Sequence, residues 1–191
     1  LTIGDASSQV YTVAVEPSTG TVYAGGSFPG HFKKWNGSAW VSPVTGQDPD
    51  GDVYTIFART PSDITIGGNF THIGTTSFRY IAKLGASSFL RLGTGFNGPV
   101  RCVYATSFDA NLYIGGSFSA DSAGTTPYSH ICVLSGSTFY ALGTGVSDNV
   151  YSIHRYSIDN NGVYQTFVGT DNLTNPVWKY ESSAWSAISG I

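Results

Sequence analysis

The chain of 191 residues is long enough for one domain with a substantial core, and only 11% of it is charged against about 25% in typical soluble domains. A formal net charge of −3 provides no basic field to hold a phosphate backbone, so nucleic acid is not an expected partner. With 24 glycines, 14% aromatics and no run of about 18 apolar residues, the composition suits short strands joined by tight turns and argues against membrane insertion.

The chain opens on Leu1-Thr2-Ile3-Gly4-Asp5, which has neither the basic start nor the apolar stretch of a signal peptide, and it contains no methionine. It reads as a processed product or, in preference, as part of a longer polypeptide. Residues 1–9 are expected to end a preceding outer strand. Alternating runs then begin at Val10, Val53, Val100 and Val150, so successive units start 43, 47 and 50 residues apart. These starts divide a single domain, 1–191, into units over about 10–52, 53–99, 100–149 and 150–191. Four strands fit each: in the first unit, a near Val10–Val15, b over Val22–Gly26, c over Phe32–Trp35 and d over Trp40–Val44.

Strand b carries the signature Val22-Tyr-Ala-Gly-Gly-Ser-Phe28, repeated as Ile64-Thr-Ile-Gly-Gly-Asn-Phe70 and Leu112-Tyr-Ile-Gly-Gly-Ser-Phe118, while the fourth unit has the degenerate Val163-Tyr-Gln-Thr-Phe-Val-Gly169. Strands c and d meet across Trp35-Asn-Gly-Ser-Ala-Trp40, Leu84-Gly-Ala-Ser-Ser-Phe89, Leu134-Ser-Gly-Ser-Thr-Phe139 and Tyr180-Glu-Ser-Ser-Ala-Trp185. No segment has a capped helical period. A four-stranded meander cannot bury both faces alone, so its copies must stack. The expected fold is therefore all-β, a β-propeller built of four four-stranded antiparallel blades or part of a larger propeller. The paired glycines would allow close backbone approach, and Phe28, Phe70 and Phe118 would plug the gaps between blades.

The stretch from Ile64-Thr-Ile-Gly-Gly-Asn-Phe-Thr-His-Ile-Gly-Thr-Thr76 through Arg79-Tyr-Ile-Ala-Lys-Leu84 to Leu92-Gly-Thr-Gly95 resembles the kelch-like propeller repeats of the fungal cortical polarity marker family. Similar repeats occur in bacterial surface proteins and large-virus proteins. The resemblance covers the whole chain, most clearly units 2 and 3. It implies a non-catalytic propeller displayed outside the cytosol and carries over no site residues. Low charge with a Ser/Thr/Gly-rich surface fits the same extracellular, cell-surface or virion location.

Candidate chemistry is sparse. Asp48, Asp50 and Asp52 alternate around the turn-forming Gly51, as hard oxygen ligands for Ca²⁺ do, although ordinary turn chemistry accounts for the same residues and is preferred. No other cofactor is suggested. His31 and His130 share a repeat position that Tyr80 and Pro176 fill in the other units, which favours ordinary turn or strand histidines over a shared site. No nucleophile motif, phosphate loop or Cys-x-x-Cys occurs. Three sequons, at Asn36, Asn69 and Asn172, permit glycosylation without marking it. Cys102 in strand a and Cys132 in strand c of unit 3 lie either side of strand b, roughly 9 to 10 Å apart by strand spacing, and are expected to be free thiols.

The b–c connections vary most in length, from about three residues after Phe28 to about ten after Phe70 and Phe118, as repeat proteins vary loops on a binding face. Thr71–Arg79 and Ser119–Ser129 are expected on one face, with Phe78, Arg79 and Tyr128 as ligand-contact candidates. The preferred reading is a non-enzymatic structural or interaction module that binds protein partners, or other copies in an assembly, through these loops. The alternative is a carbohydrate-binding, lectin-like propeller, since exposed aromatics stack on sugars.

Overall fold

The computed structural model describes residues 3, 7–106, 110–157 and 164–188. The strand end expected over 1–9, Val163 in the fourth signature and residues 189–191 lie wholly or largely outside them. No helix occurs among the described residues, which form four four-stranded antiparallel sheets and one two-stranded hairpin.

The first sheet runs β1 (Val10–Val15), β2 (Val22–Gly26), β3 (Phe32–Trp35) and β4 (Trp40–Val41). In the second, β5 (Val53–Thr60) and β6 (Asp63–Gly68) are followed by a hairpin of β7 (His72–Ile73) and β8 (Thr76–Ser77). The sheet then resumes with β9 (Ile81–Leu84) and β10 (Phe89–Leu90). The third is β11 (Val100–Tyr104), β12 (Leu112–Gly116), β13 (Ile131–Ser135) and β14 (Thr138–Ala141). The fourth is β15 (Val150–Ser157), β16 (Tyr164–Thr170), β17 (Val177–Glu181) and β18 (Ala184–Ile188). Each sheet keeps its strands in chain order, the arrangement expected from the repeat. The last strand of the first two sheets is cut to two residues, so the expected strand over Trp40–Val44 ends at Val41.

The first strands β1, β5, β11 and β15 pack side by side in succession, and three apolar clusters fill the space between consecutive sheets. Between sheets 1 and 2 lie Tyr23, Phe32, Val53 and Ile56; between sheets 3 and 4 lie Tyr113, Ile131, Val150 and Ile153. No comparable packing joins β15 back to β1 among the described residues.

The register explains the paired glycines. Val10, Val53, Val100 and Val150 pair with Gly26, Gly68, Gly116 and Thr170, and a bulge follows at the next residue in every sheet. The two glycines meet different obstacles. A Cβ on Gly25 would lie 2.6 Å from Val53 Cγ1, one on Gly115 would lie 2.5 Å from Val150 Cγ1, and one on Gly67 would press on Val100 Cγ1 in the same way. The first glycine is thus a seat for the valine of the next sheet. The second is required inside its own sheet, because a Cβ on Gly26, Gly68 or Gly116 would overlap the carbonyl oxygen of Gln9, Asp52 or Pro99. Those carbonyls accept hydrogen bonds from Ser27, Asn69 and Ser117 at 2.9, 2.8 and 2.8 Å.

A second local device closes the turn between β1 and β2. The buried Glu16 carboxylate accepts from Ser18 N and Thr19 N, both at 2.9 Å, and from the hydroxyls of Ser18 and Thr19 at 2.7 and 2.6 Å. Burial alone would raise its pKa, but the four hydrogen bonds outweigh burial and hold it down to about 2.

Two outcomes follow from these devices. Gly67→Ala should destabilise the chain by about 1–3 kcal/mol in urea unfolding, as overpacking does; wild-type stability would mean that Val100 does not need this seat. Because the Glu16 carboxyl is held below its ordinary 4.5, its contribution is full above that value and is lost as pH falls through about 2. Melting temperature should therefore drop on acidification from about pH 5 to about pH 2, and the drop should be shallower in Glu16→Gln.

Candidate functional site

The long loops of sheets 2 and 3 share one edge and one construction. Arg79 and Ser129 have left-handed φ of 52° and 47°, followed by Tyr80 at 76° and His130 at 70°; in sheet 1 Gly30 and His31 take the same place at 83° and 56°. Non-glycine residues enter this region only when their surroundings hold them there. Here His31 N, Tyr80 N and His130 N donate to the carbonyls of Phe28, Phe70 and Phe118, while their own carbonyls accept from Gly26, Gly68 and Gly116. These positions are turn elements, and His130 Nδ1 is further engaged by Val146 O at 3.0 Å.

The connection between β10 and β11 ties the two loops together. Phe96 N donates to Arg79 O at 3.1 Å, Asn97 N donates to Ala120 O at 3.2 Å, and Ser122 N donates to Gly95 O at 3.0 Å. Thr71–Arg79 and Ser119–Ser129 therefore form one rim. The tips of this rim, Gly74–Thr76 and residues 123–127, are exposed. A shallow open groove lies beside the first of these loops, lined by Thr45, Gln47, Gly74, Thr76, Phe78 and Ser88.

Of the ligand-contact candidates, only Arg79 is exposed. Phe78 is 6% exposed and meets Phe89 edge-on at 6.2 Å; Tyr128 is 5% exposed and sits among Phe96, Phe118 and Phe139. Both rings pack into the core from the loops above it, and Phe78 also reaches the floor of the groove with the little surface it exposes. The sequence placed them in loops correctly but could not tell that the loops fold back over the sheet ends. Tyr128→Ala would open a core cavity rather than remove a ligand contact.

The three aspartates also separate. Asp48 accepts from Ser42 Oγ at 2.6 Å and faces Lys33 Nζ at 3.5 Å, whereas Asp52 faces His31 Nδ1 at 3.3 Å. Asp50 turns to the rim, accepting from Thr71 N at 2.7 Å, His72 N at 2.9 Å and Thr71 Oγ1 at 2.9 Å. Burial tends to raise its pKa, but these bonds prevail and the carboxyl lies below its ordinary range. Asn97 does the same work in sheet 3, its Oδ1 accepting from Ser119 N and Ala120 N at 2.9 and 3.1 Å. A neutral amide in the equivalent place identifies Asp50 as a loop cap. Among the described residues, no three His, Cys, Asp or Glu converge as a metal ion would require.

A feature that no sequence motif marks lies on the first strands. The residue at each bulge is Tyr11, Tyr54, Arg101 or Tyr151, and bulges re-aim side chains. The Tyr11 and Tyr54 rings are 5.7 Å apart, and the Arg101 guanidinium lies 5.0 Å from the Tyr54 ring and 5.0 Å from that of Tyr151. Arg101 Nε donates to Ser117 Oγ at 3.2 Å, which fixes the guanidinium between the rings. Burial first, and then Asp52, raise the Tyr54 pKa, while Arg101 opposes them. The result is a continuous ladder across all four sheets, with Tyr11 and Tyr151 still 45% and 46% exposed. The available signal was the residue following each repeat-opening valine.

Cys102 and Cys132 are free, separated by β12 as the strand order requires. Burial pushes the Cys102 thiol up to about 12, with Gly115 N–H opposing, and raises Cys132 well above its ordinary value, so neither supplies a thiolate near neutral pH. The rim geometry also makes a statement about calcium. Adding Ca²⁺ to about 10 mM, roughly tenfold above the dissociation constant of a weak extracellular site, should leave the melting temperature unchanged. A rise of several degrees would show that Asp48, Asp50 and Asp52 abandon their separate partners for a shared ion.

No family model matches this chain, and no curated protein matches it.

Proposed function

We propose that the chain is a non-enzymatic β-propeller, whole or part of a larger one, serving as a structural and interaction module of a virion or cell surface. It binds protein partners through the rim formed by Thr71–Arg79 and Ser119–Ser129. The observation that carries this reading is the bridging of both loops by the Gly95–Asn97 segment, which presents two exposed polar tips on one preorganised edge. The succession β1, β5, β11, β15 supports stacking about a common axis. The resemblance of units 2 and 3 to kelch-like repeats points the same way. The second reading, carbohydrate binding, is favoured by the Tyr11–Tyr54–Arg101–Tyr151 ladder, whose exposed rings offer stacking faces to a sugar.

Protein and glycan arrays probed with the labelled chain distinguish the two. Replacing only the tips, Gly74–Thr76 and residues 123–126, by Gly-Ser keeps Ile73, Phe78 and Tyr128 in the core, so folding should survive where whole-loop deletion would not. Protein binding at least tenfold weaker in the tip variants, with blank glycan arrays, is the expected result. Sugar binding abolished by Tyr151→Ala would favour the lectin reading instead, and protein binding indifferent to both tip replacements would overturn the rim as the binding face.

A further inference from the structure

The two ends of the stack carry complementary halves of the seat that joins its sheets. At each internal joint a strand-opening valine sits over the first glycine of the preceding sheet: Val53 on Gly25, Val100 on Gly67, Val150 on Gly115. Those valines are 0% exposed. Val10, at the equivalent position of sheet 1, is 46% exposed, and Val13 is 59% exposed where its equivalents Ile56 and Ile153 are 9% and 8% exposed and Val103 is half-buried. At the other end, Gly169 pairs with Ser152 as Gly25 pairs with Thr12, but among the described residues a Cβ on Gly169 would meet only Ser152, its hydroxyl at 2.6 Å. No valine among the described residues occupies that seat. Beside it, Phe167 and Val177 take the places that Tyr23 and Phe32 hold in sheet 1 and are only half-buried, whereas Tyr23 and Phe32 are 5% and 0% exposed.

We infer that a second copy of this chain docks head to tail on the stack, with Val10 of one copy seated on Gly169 of the other and Val13 packed beside it. The argument rests on the stacked-propeller reading and extends an interface that the chain already makes three times with the same residue types. The ladder supports the same geometry. It ends in an exposed Tyr at each side, 45% at Tyr11 and 46% at Tyr151, so docking would set Tyr11 of one copy beside Tyr151 of the other as Tyr54 stands beside Tyr11. A head-to-tail contact is heterologous and closes into a ring when the rotation permits; two copies joined twice are the smallest ring.

Sedimentation velocity over a micromolar concentration series tests the inference. The wild-type chain should form a dimer or a larger closed assembly, and Val10→Asp and Gly169→Val should each sediment as monomers that still melt cooperatively. Val10 is exposed, and at Gly169 the rotatable Ser152 hydroxyl, 2.6 Å from the new Cβ, must turn aside; Val13→Lys replaces Val10→Asp, and Gly169→Val is combined with Ser152→Ala, should either unfold. An equimolar mixture of Val10→Asp and Gly169→Val is the decisive arm. Each retains the half that the other has lost, so the mixture should recover one joint and give a one-to-one dimer. A wild-type chain that stays monomeric while well folded overturns the inference. So does association that survives either substitution. Stacking itself is judged separately: Gly67→Ala as stable as wild type would strike the propeller reading, whereas a monomeric wild type with a destabilised Gly67→Ala strikes only the docking.

Discussion

The contact on which the architecture depends is a missing side chain. Where Gly25, Gly67 or Gly115 would carry a Cβ, the next sheet inserts a valine methyl, so consecutive sheets approach more closely than any other residue would allow. Interiors are packed densely enough that one methyl group decides such an approach. The seat fixes register as well as distance. A one-residue slip would turn every valine to the wrong face and set Gly26, Gly68 or Gly116 where a neighbour's side chain is needed. The bulge after each valine follows from the same demand, and it throws Tyr11, Tyr54, Arg101 and Tyr151 outward into one line. The ladder is thus a by-product of joining the sheets, available for recognition without any device of its own.

The rim is built by a different economy of parts. Each long loop is held by a cap three residues before the strand-opening valine, Asp50 in one sheet and Asn97 in the next, and by two left-handed residues immediately before strand c. The aromatic at the end of each loop, Phe78 or Tyr128, is then driven into the core. Rigid anchoring on both sides of an exposed tip lowers the entropy lost when a partner binds. This is the physical reason to place recognition at the tips instead of at the aromatics.

Much of the fold could be read from the chain, because the repeat states it four times. The valine spacing and the Gly-Gly-x-Phe signature located the first three strands of sheets 1 to 3 and predicted the strand order that separates Cys102 from Cys132. The site was less legible. Whether Phe78 or Tyr128 points to solvent depends on how a ten-residue loop folds back, and no local pattern encodes that. Asp48, Asp50 and Asp52 alternate as metal ligands would, yet their partners Ser42, Thr71 and His31 come from separate segments, and only the tertiary structure disperses them. The ladder was hidden for the opposite reason. Its four members occupy one repeat position, but Arg101 replaces the aromatic in unit 3 and masks the pattern.

The fourth unit shows which of the two glycines each constraint protects. Its second glycine has become Thr170, and the carbonyl that would clash there stands off: Asp171 N reaches Asn149 O at 3.3 Å, against 2.8 to 2.9 Å for the equivalent bonds in the other sheets. The internal constraint is relaxed by a small retreat of the strand opening. Thr170 N still donates to Pro176 O at 2.8 Å, so the turn before strand c survives the change. The first glycine remains as Gly169, although a strand glycine is destabilising by roughly 0.5–1 kcal/mol relative to alanine. Among the described residues only Ser152 lies near the position of its absent Cβ. A unit that has lost the glycine serving its own sheet while keeping the one that serves a neighbour has kept the means of being joined, and the exposed Val10 at the opposite end has the shape to join it.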